Sequence, residues 1–469
     1  MGDFEWCYEI EATAEFISSR NLKRVALQFP DHLLKDSVML LTSLRSKLQA
    51  AACGDVRLFV MADTTYGSCC VDEVGASHVA ADCVIHYGHT CRSATSSLPA
   101  YFVFGKAELA ISPLARALAT CAAANSKPVI VLFSLEYAYA MHQLQQQVSP
   151  EVRFAQAMPS FTIPGDKEED EDCRQARYCI GGLVWNIPQG HTVDDYLLFW
   201  IGSDGPAFTN VVMTFNGCQI VRYLPDDNRL DTDIVQHSRV LKRRYYLVEK
   251  AKDANIVGIL VGTLGVAGYL HVINQMKELV AAAGKKAYTF VMGKPNPAKL
   301  ANFPECDVFI YVSCAETALL DSKEFLSPII TPFEATLAFT GRQWTGEYVM
   351  EFGKLITSSF STSNKKQDQE ARFSFIQGGY VEDSDLQEVP RNEEDGKEVL
   401  ALAQITEKAL LLQNKYPNGP SKGLATYAAE FLAARSYTGL DMHNNCSKPE
   451  TFVVGRTGRA AGYQDETNY

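Results

Sequence analysis

Cys83-Val-Ile-His-Tyr-Gly88 is a short apolar run that stops at a glycine and leads straight into His89-Thr-Cys91. Its apolar residues are continuous rather than alternating, the pattern of a strand covered on both faces of a parallel sheet. Outward from it, Arg24-Val-Ala-Leu-Gln-Phe-Pro30, Val56-Arg-Leu-Phe-Val-Met-Ala-Asp63 and Tyr101-Phe-Val-Phe-Gly105 repeat the pattern with helix-like segments between. This is a β-α-β series. A second series runs through Pro128-Val-Ile-Val-Leu-Phe-Ser134, Val152-Arg-Phe-Ala, Ile180-Gly-Gly-Leu-Val-Trp185, Tyr196-Leu-Leu-Phe-Trp-Ile-Gly202 and Val211-Val-Met-Thr-Phe215. A third comprises Ile256-Val-Gly-Ile-Leu-Val-Gly262, Ala287-Tyr-Thr-Phe-Val-Met-Gly293, Val308-Phe-Ile-Tyr-Val312 and Ile329-Ile-Thr-Pro-Phe-Glu334. The expected fold is therefore α/β, with three Rossmann-like parallel-sheet domains over 1–125, 126–240 and 241–357, units of ordinary domain size.

The rest of the chain reads differently. Residues 358–396, rich in Ser, Asn, Gln and acidic groups, are expected to form a mobile linker. Residues 397–469 follow as C-terminal helices and tail, with Leu402, Ile405, Ala409 and Leu412 at helical spacing. The acidic run Gly165-Asp-Lys-Glu-Glu-Asp-Glu-Asp172 reads as a solvated loop insertion.

Composition narrows the chemistry. A net charge of −12 over 469 residues argues against an electrostatic grip on a nucleic-acid backbone. The N-terminus has no positive region leading into an apolar stretch, and Trp6 stands where a myristoylation signal wants Ser or Thr. No run reaches the ~18 apolar residues that span a bilayer. The expectation is a soluble cytoplasmic protein, whose 13 cysteines are reduced thiols or metal ligands rather than a disulfide framework.

Four of those cysteines share a position. Cys69 and Cys70 in Tyr66-Gly-Ser-Cys-Cys-Val-Asp-Glu73, Cys91, and Cys314 in Tyr311-Val-Ser-Cys-Ala-Glu-Thr317 all follow strand-like runs. The carboxyl ends of strands in open α/β sheets form the crevice where ligands bind. Thiols there point to an iron–sulfur cluster, and three cysteine ligands would leave one iron open. Zinc sites show paired close spacings, and adjacent Cys69 and Cys70 are not expected to reach one tetrahedral ion together. Cys53, Cys83, Cys121, Cys179 and Cys306 lie in or beside apolar segments and read as small buried hydrophobes.

Other features have two readings each. Gly262-Thr-Leu-Gly265 is a tight strand-to-helix turn or a backbone approach to an anion; it lacks the P-loop pattern. Arg239, Lys242, Arg243 and Arg244 form a solvated helical face, or a contact to a cofactor carboxylate or a partner. His86 and His89 either tune a cluster near Cys91 or are satisfied strand-end histidines. No Ser–His–Asp order or paired-carboxylate site supports hydrolysis.

Asp63-Thr-Thr-Tyr-Gly-Ser-Cys-Cys-Val-Asp-Glu73, His86-Tyr-Gly-His-Thr-Cys91, Arg243-Arg-Tyr-Tyr-Leu-Val-Glu-Lys-Ala-Lys-Asp253, Ile259-Leu-Val-Gly-Thr-Leu-Gly-Val-Ala267, Val312-Ser-Cys-Ala and Pro328-Ile-Ile-Thr-Pro-Phe-Glu-Ala335 together resemble the diphthamide synthesis protein family. The matches span residues 24 to about 345, and Gly455-Arg-Thr-Gly-Arg-Ala-Ala-Gly-Tyr463 resembles the tail of the family's second eukaryotic subunit. The resemblance implies three domains in a pseudo-threefold arrangement and a [4Fe-4S] cluster. It also implies the first step of diphthamide synthesis, transfer by radical chemistry of a 3-amino-3-carboxypropyl group from S-adenosylmethionine to a histidine of elongation factor 2. Implied partners are a homologous catalytic subunit in a heterodimer, elongation factor 2 as protein substrate and a small electron-donor protein.

In catalytic members each domain donates one cluster cysteine. Here Cys69 or Cys70 carries over to the first-domain ligand and Cys314 to the third, whereas Cys173, Cys179 and Cys218 lie in no matching middle-domain motif; Cys91 is then the third ligand. The departure implies a supporting subunit whose cluster facilitates reduction of the catalytic one. Two alternatives stay open: a chain that itself cleaves S-adenosylmethionine, and a cluster-free scaffold.

Overall fold

The computed structural model describes residues 2–51, 55–61, 66–164, 175–232, 234–320, 324–342 and 344–357, with the strands Arg372–Ser374 and Gly379–Val381. All belong to one compact unit, Met1–Asp385. The acidic run 165–172, most of the expected linker 358–396 and the expected helices of 397–469 lie outside the described residues.

Three sheets with parallel cores carry the fold. The first is ordered Arg57–Val60, Arg24–Gln28, Cys83–Tyr87, Ala100–Val103, all parallel, with Phe161–Thr162 antiparallel at its edge. In the second, Gln219–Leu224, Leu197–Ile201, Val129–Phe133 and Arg153–Phe154 run parallel, and Arg229–Asp231 closes one edge antiparallel. The third is fully parallel: Lys286–Val291, Ile256–Val261, Val308–Val312, Ile329–Ile330. Every residue of Cys83–Tyr87, Val129–Phe133, Leu197–Ile201 and Val308–Val312 is buried. Continuous apolar character thus does mark strands covered on both faces.

Helices cover the sheets through single stripes. Tyr269–Ala282 buries Val272, Ile273, Met276, Leu279 and Val280, the i, i+1, i+4, i+7, i+8 face of a 3.6-residue period. Helix Ile234–Lys252 docks by Arg244, which is 4% exposed and forks onto both oxygens of Glu334 while also reaching the Ile329 carbonyl. Glu334 in turn accepts from the Thr331 amide and the Tyr348 hydroxyl and completes a capping box at the start of Pro332–Thr340. A solvated basic face was expected; Arg239 and Lys242 are exposed, but Arg244 is a structural clamp.

Two strand expectations are corrected. Val211–Phe215 is not a strand: Val211 to Thr214 end the helix Pro206–Thr214, which starts with Gly205 as N-cap and Pro206 in its first turn. Proline is preset for that position, so the Gly-Pro signal outranks the β-branched pair Val211-Val212. The strand of that region is Gln219–Leu224 instead. Ile180 to Trp185 likewise is not one parallel strand. It is the turn of an antiparallel hairpin, Gln175–Ile180 with Leu183–Pro188, because Gly181 and Gly182 take φ of 54° and 83° as a two-residue hairpin turn requires.

Candidate metal centre

The predicted cysteines meet. The sulfurs of Cys69, Cys70, Cys91 and Cys314 all lie within 4.8 Å of one another, and all four residues are buried. Cys69 Sγ is 3.4 Å from Cys314 Sγ, and Cys91 Sγ is 3.7 Å from Cys70 Sγ. Adjacent Cys69 and Cys70, not expected to reach one tetrahedral ion together, both bring their sulfurs into this group. Their loop turns so that both side chains face inward, with the Cys69 carbonyl accepting from the Cys91 amide at 3.1 Å.

Each thiol is held by elements that end at this point. Cys91 follows Cys83–Tyr87 of the first sheet, and Cys314 follows Val308–Val312 of the third. The Cys69-Cys70 loop is clamped by Gln28, the last residue of its strand and 1% exposed. Gln28 donates to the Cys70 carbonyl at 2.7 Å and accepts from the Asp72 amide at 2.8 Å. Beyond the loop, the buried Glu73 carboxylate accepts from the amides of Ser96, Ser97 and Leu98, tying it to the segment after Cys91. Gln28 closes an apolar run, and a polar residue in that position was the available signal for it.

The third sheet reaches across to complete the shell. Gly262 to Gly265 is a strand-to-helix turn, as one of its two readings held, but it serves the cysteines: the Thr263 hydroxyl lies 3.7 Å from Cys70 Sγ. A Cβ on Gly265 would sit 2.1 Å from the Val71 carbonyl oxygen, so only glycine allows this approach. On the other side the Thr317 hydroxyl lies 3.1 Å from Cys314 Sγ. Neither threonine stood out in the sequence, since each acts only through a fold contact.

The thiols share their protons unevenly. Hydrogen bonding from Cys69, then from Cys70 and Cys91, pulls the Cys314 thiol well below the ordinary cysteine value. Bonding to Cys314 pushes Cys69 and Cys91 well above it, with burial adding to the effect. A metal that displaces the thiol protons would bind this group as thiolates. Among the described residues no carboxylate joins the group. Four buried soft donors suit iron–sulfur or tetrahedral thiolate coordination and not magnesium or calcium.

The two histidines have other partners. His86 is fully buried; its Nε2 donates to the Ser68 carbonyl at 3.0 Å, and burial lowers its pKa to about 4. His89 pairs with the buried Glu316; burial works against its charge, yet the carboxylate outweighs burial and raises its pKa. Of the remaining cysteines, Cys83, Cys121 and Cys306 are buried as expected. Cys218 bonds Asp194 Oδ1 at 3.2 Å, and Cys53 and Cys173 lie outside the described residues. Cys179 is partly buried and lines a cavity of about 240 Å³ together with Cys91 and Cys314. A second cavity, about 440 Å³, is walled by Cys70, Tyr66, Val71, Thr263 and Gly265.

Parallel α/β sheets whose strand ends bring four buried thiols together define a thiolate-centre α/β protein. The chain belongs to the diphthamide synthesis protein family: the family model matches residues 29–349. Its relatives include 2-(3-amino-3-carboxypropyl)histidine synthase subunit 2 of Danio rerio, 36% identical across 100% of this chain and 93% of the relative. The Gallus gallus protein of the same name is 35% identical over 99% of this chain and 94% of its own, and that of Schizosaccharomyces pombe 32% over 99% and 92%. Among solved structures, Dph2 from Pyrococcus horikoshii with a 4Fe-4S cluster superposes with a TM-score of 0.53 at 20% identity, covering 73% of this chain and 93% of that one. That likeness supports the α/β fold. Among the described residues no helix is long and apolar enough to cross a membrane.

Proposed function

We propose that this chain is the iron–sulfur subunit of the complex that moves a 3-amino-3-carboxypropyl group from S-adenosylmethionine to a histidine of elongation factor 2. The observation that carries the reading is the buried group of Cys69, Cys70, Cys91 and Cys314 in a chain matched end to end by subunit 2 relatives. The four cysteines would hold a [4Fe-4S] cluster, which supplies one-electron chemistry when bound. The chain's own residues supply the rest. Thr263 and Thr317 direct hydroxyls at thiolate sulfur, Gln28 and Glu73 fix the cysteine loop, and burial excludes water.

In this reading the chain works in the cytoplasm as a heterodimer with a homologous catalytic subunit. It takes electrons from a small donor protein and facilitates reduction of its partner's cluster. The division into domains 1–125, 126–240 and 241–357 about a pseudo-threefold axis belongs to the same proposal; the three sheets support it. The supporting role rests on Cys179, the described cysteine of the middle region nearest the site, being absent from the four-sulfur group.

One observation favours a second reading. A single tetrahedral ion with metal–sulfur bonds of about 2.3 Å places its sulfurs roughly 3.8 Å apart, close to the 3.4 and 3.7 Å of the nearest pairs. A structural zinc would then occupy the site. The two readings separate on anaerobic purification with the partner, followed by iron and sulfide analysis and electron paramagnetic resonance for wild type and Cys314→Ser. Loss of one of two clusters in the variant supports the iron–sulfur subunit. Unchanged iron and signal remove it, and zinc without sulfide in this chain selects the structural ion.

A further inference from the structure

Lys286–Val291 is an outer strand of the third sheet, and five of its six residues are exposed. Tyr288 is 50% exposed and Val291 69%. The Lys286 amide donates to the Asn255 carbonyl, so Lys286, Tyr288 and Phe290 turn their backbone groups toward the neighbouring strand Ile256–Val261. Backbone groups alternate in direction along a strand, and Ala287, Thr289 and Val291 therefore turn N–H and C=O outward. Among the described residues nothing bonds to them. The parallel outer strands of the other two sheets, Arg57–Val60 and Arg153–Phe154, are four and two residues long, and each opens on an arginine. Short length and charge are how proteins blunt such an edge. Lys286–Val291 has six residues and a single charge, at its end.

We propose that this edge is a self-association surface, on which a second copy of the chain pairs its own Lys286–Val291, antiparallel, about a twofold axis at Thr289. Antiparallel strands exchange hydrogen bonds only between outward-turned residues. A twofold at Thr289 meets that condition: it sets Thr289 against Thr289, Ala287 against Val291, and Tyr288 against Phe290 of the second copy. Threonine pairs and aromatic pairs are among the favourable cross-strand neighbours. Lys286 falls opposite Met292, so no charge faces a charge. Phe290 is held against Phe303, with ring centroids 4.4 Å apart, and offers the second copy's Tyr288 an anchored apolar ring. Such a contact uses the same edge in both copies and leaves neither strand open. It joins two four-stranded sheets into one continuous sheet. The pairing requires neither a metal at the cysteines nor another kind of subunit.

Sedimentation velocity of the full-length chain alone, reduced and over a concentration series, tests the pairing. The wild type is expected to dimerise reversibly. Thr289→Lys and Thr289→Glu each set like charges face to face at the axis and should raise the dimer dissociation constant at least about tenfold. Thr289 is exposed in the single copy, so the circular dichroism and denaturation midpoint of both variants should match wild type. Mixed one to one, the two variants should dimerise again, because the introduced charges then meet with opposite sign. A wild type that stays monomeric throughout overturns the pairing, and so does a dimer that both variants leave intact. Variants that dissociate separately but do not pair when mixed overturn the twofold at Thr289. A monomeric wild type whose binding to the catalytic subunit is lost in both variants gives the edge to that subunit and overturns the pairing of copies.

Discussion

Cys69 and Cys314 are 245 residues apart in the chain, and their sulfurs lie 3.4 Å apart. A disulfide needs about 2.05 Å, so without metal a small shift joins them, and Cys70 with Cys91 at 3.7 Å is similarly placed. The depressed Cys314 thiol is the group to start the exchange. Metal-free chain incubated with oxidised glutathione should form Cys69–Cys314 and Cys70–Cys91 bonds, releasing two reduced glutathiones per bond. Peptide mapping under non-reducing conditions reads this directly. Metal-loaded chain should resist, and finding the same bonds at the same rate in loaded protein would separate these thiols from the metal.

Arg244 should matter for stability rather than for chemistry. It and Glu334 are 4% and 1% exposed, and the charge of each is compensated by the other. Arg244→Ala leaves the carboxylate buried with only Tyr348 and Thr331 as partners. Breaking one side of a buried pair costs about 3–5 kcal/mol. The denaturation midpoint should fall accordingly with an unchanged denaturant slope; a loss under about 1 kcal/mol would contradict the clamp.

Gly265→Ala should loosen the metal centre before it unfolds the chain. The added Cβ meets the Val71 carbonyl, so the turn carrying Thr263 must withdraw from Cys70. Metal should be released to a chelator several-fold faster than from wild type, while far-ultraviolet circular dichroism stays close to native. Equal release rates would mean that the turn does not brace the site.

His86 sets a pH dependence with a defined sign. Its pKa falls from 6.5 to about 4 because burial disfavours the charged ring. Between those values the unfolded chain binds the proton and the folded chain does not. The stability it contributes is therefore present above pH 6.5 and lost as pH falls toward 4, by roughly 3 kcal/mol for a shift of this size. His86→Gln should flatten that acid-side slope in urea titrations run across the window. A slope identical to wild type would assign the acid sensitivity elsewhere.

The sequence by itself determined the sheets and the placement of the thiols. Short continuous apolar runs ending at Gly88 and at Ser313-Cys314 are legible because burial on both faces removes the polar alternation of a half-exposed strand. It misread Val211–Phe215 and Ile180–Trp185, where a helix-starting Gly205-Pro206 and a Gly181-Gly182 turn overrode local β preference. Tertiary structure alone decided that Cys69 and Cys70 both face the centre, that Arg244 clamps Glu334, and that Thr263 and Thr317 touch sulfur. Those are contacts across more than one sheet or loop. Spacing along the chain fixes where a strand ends, but the direction of a side chain beyond that end is set by the hydrogen bonds that hold its loop, here from Gln28, Glu73 and Cys91.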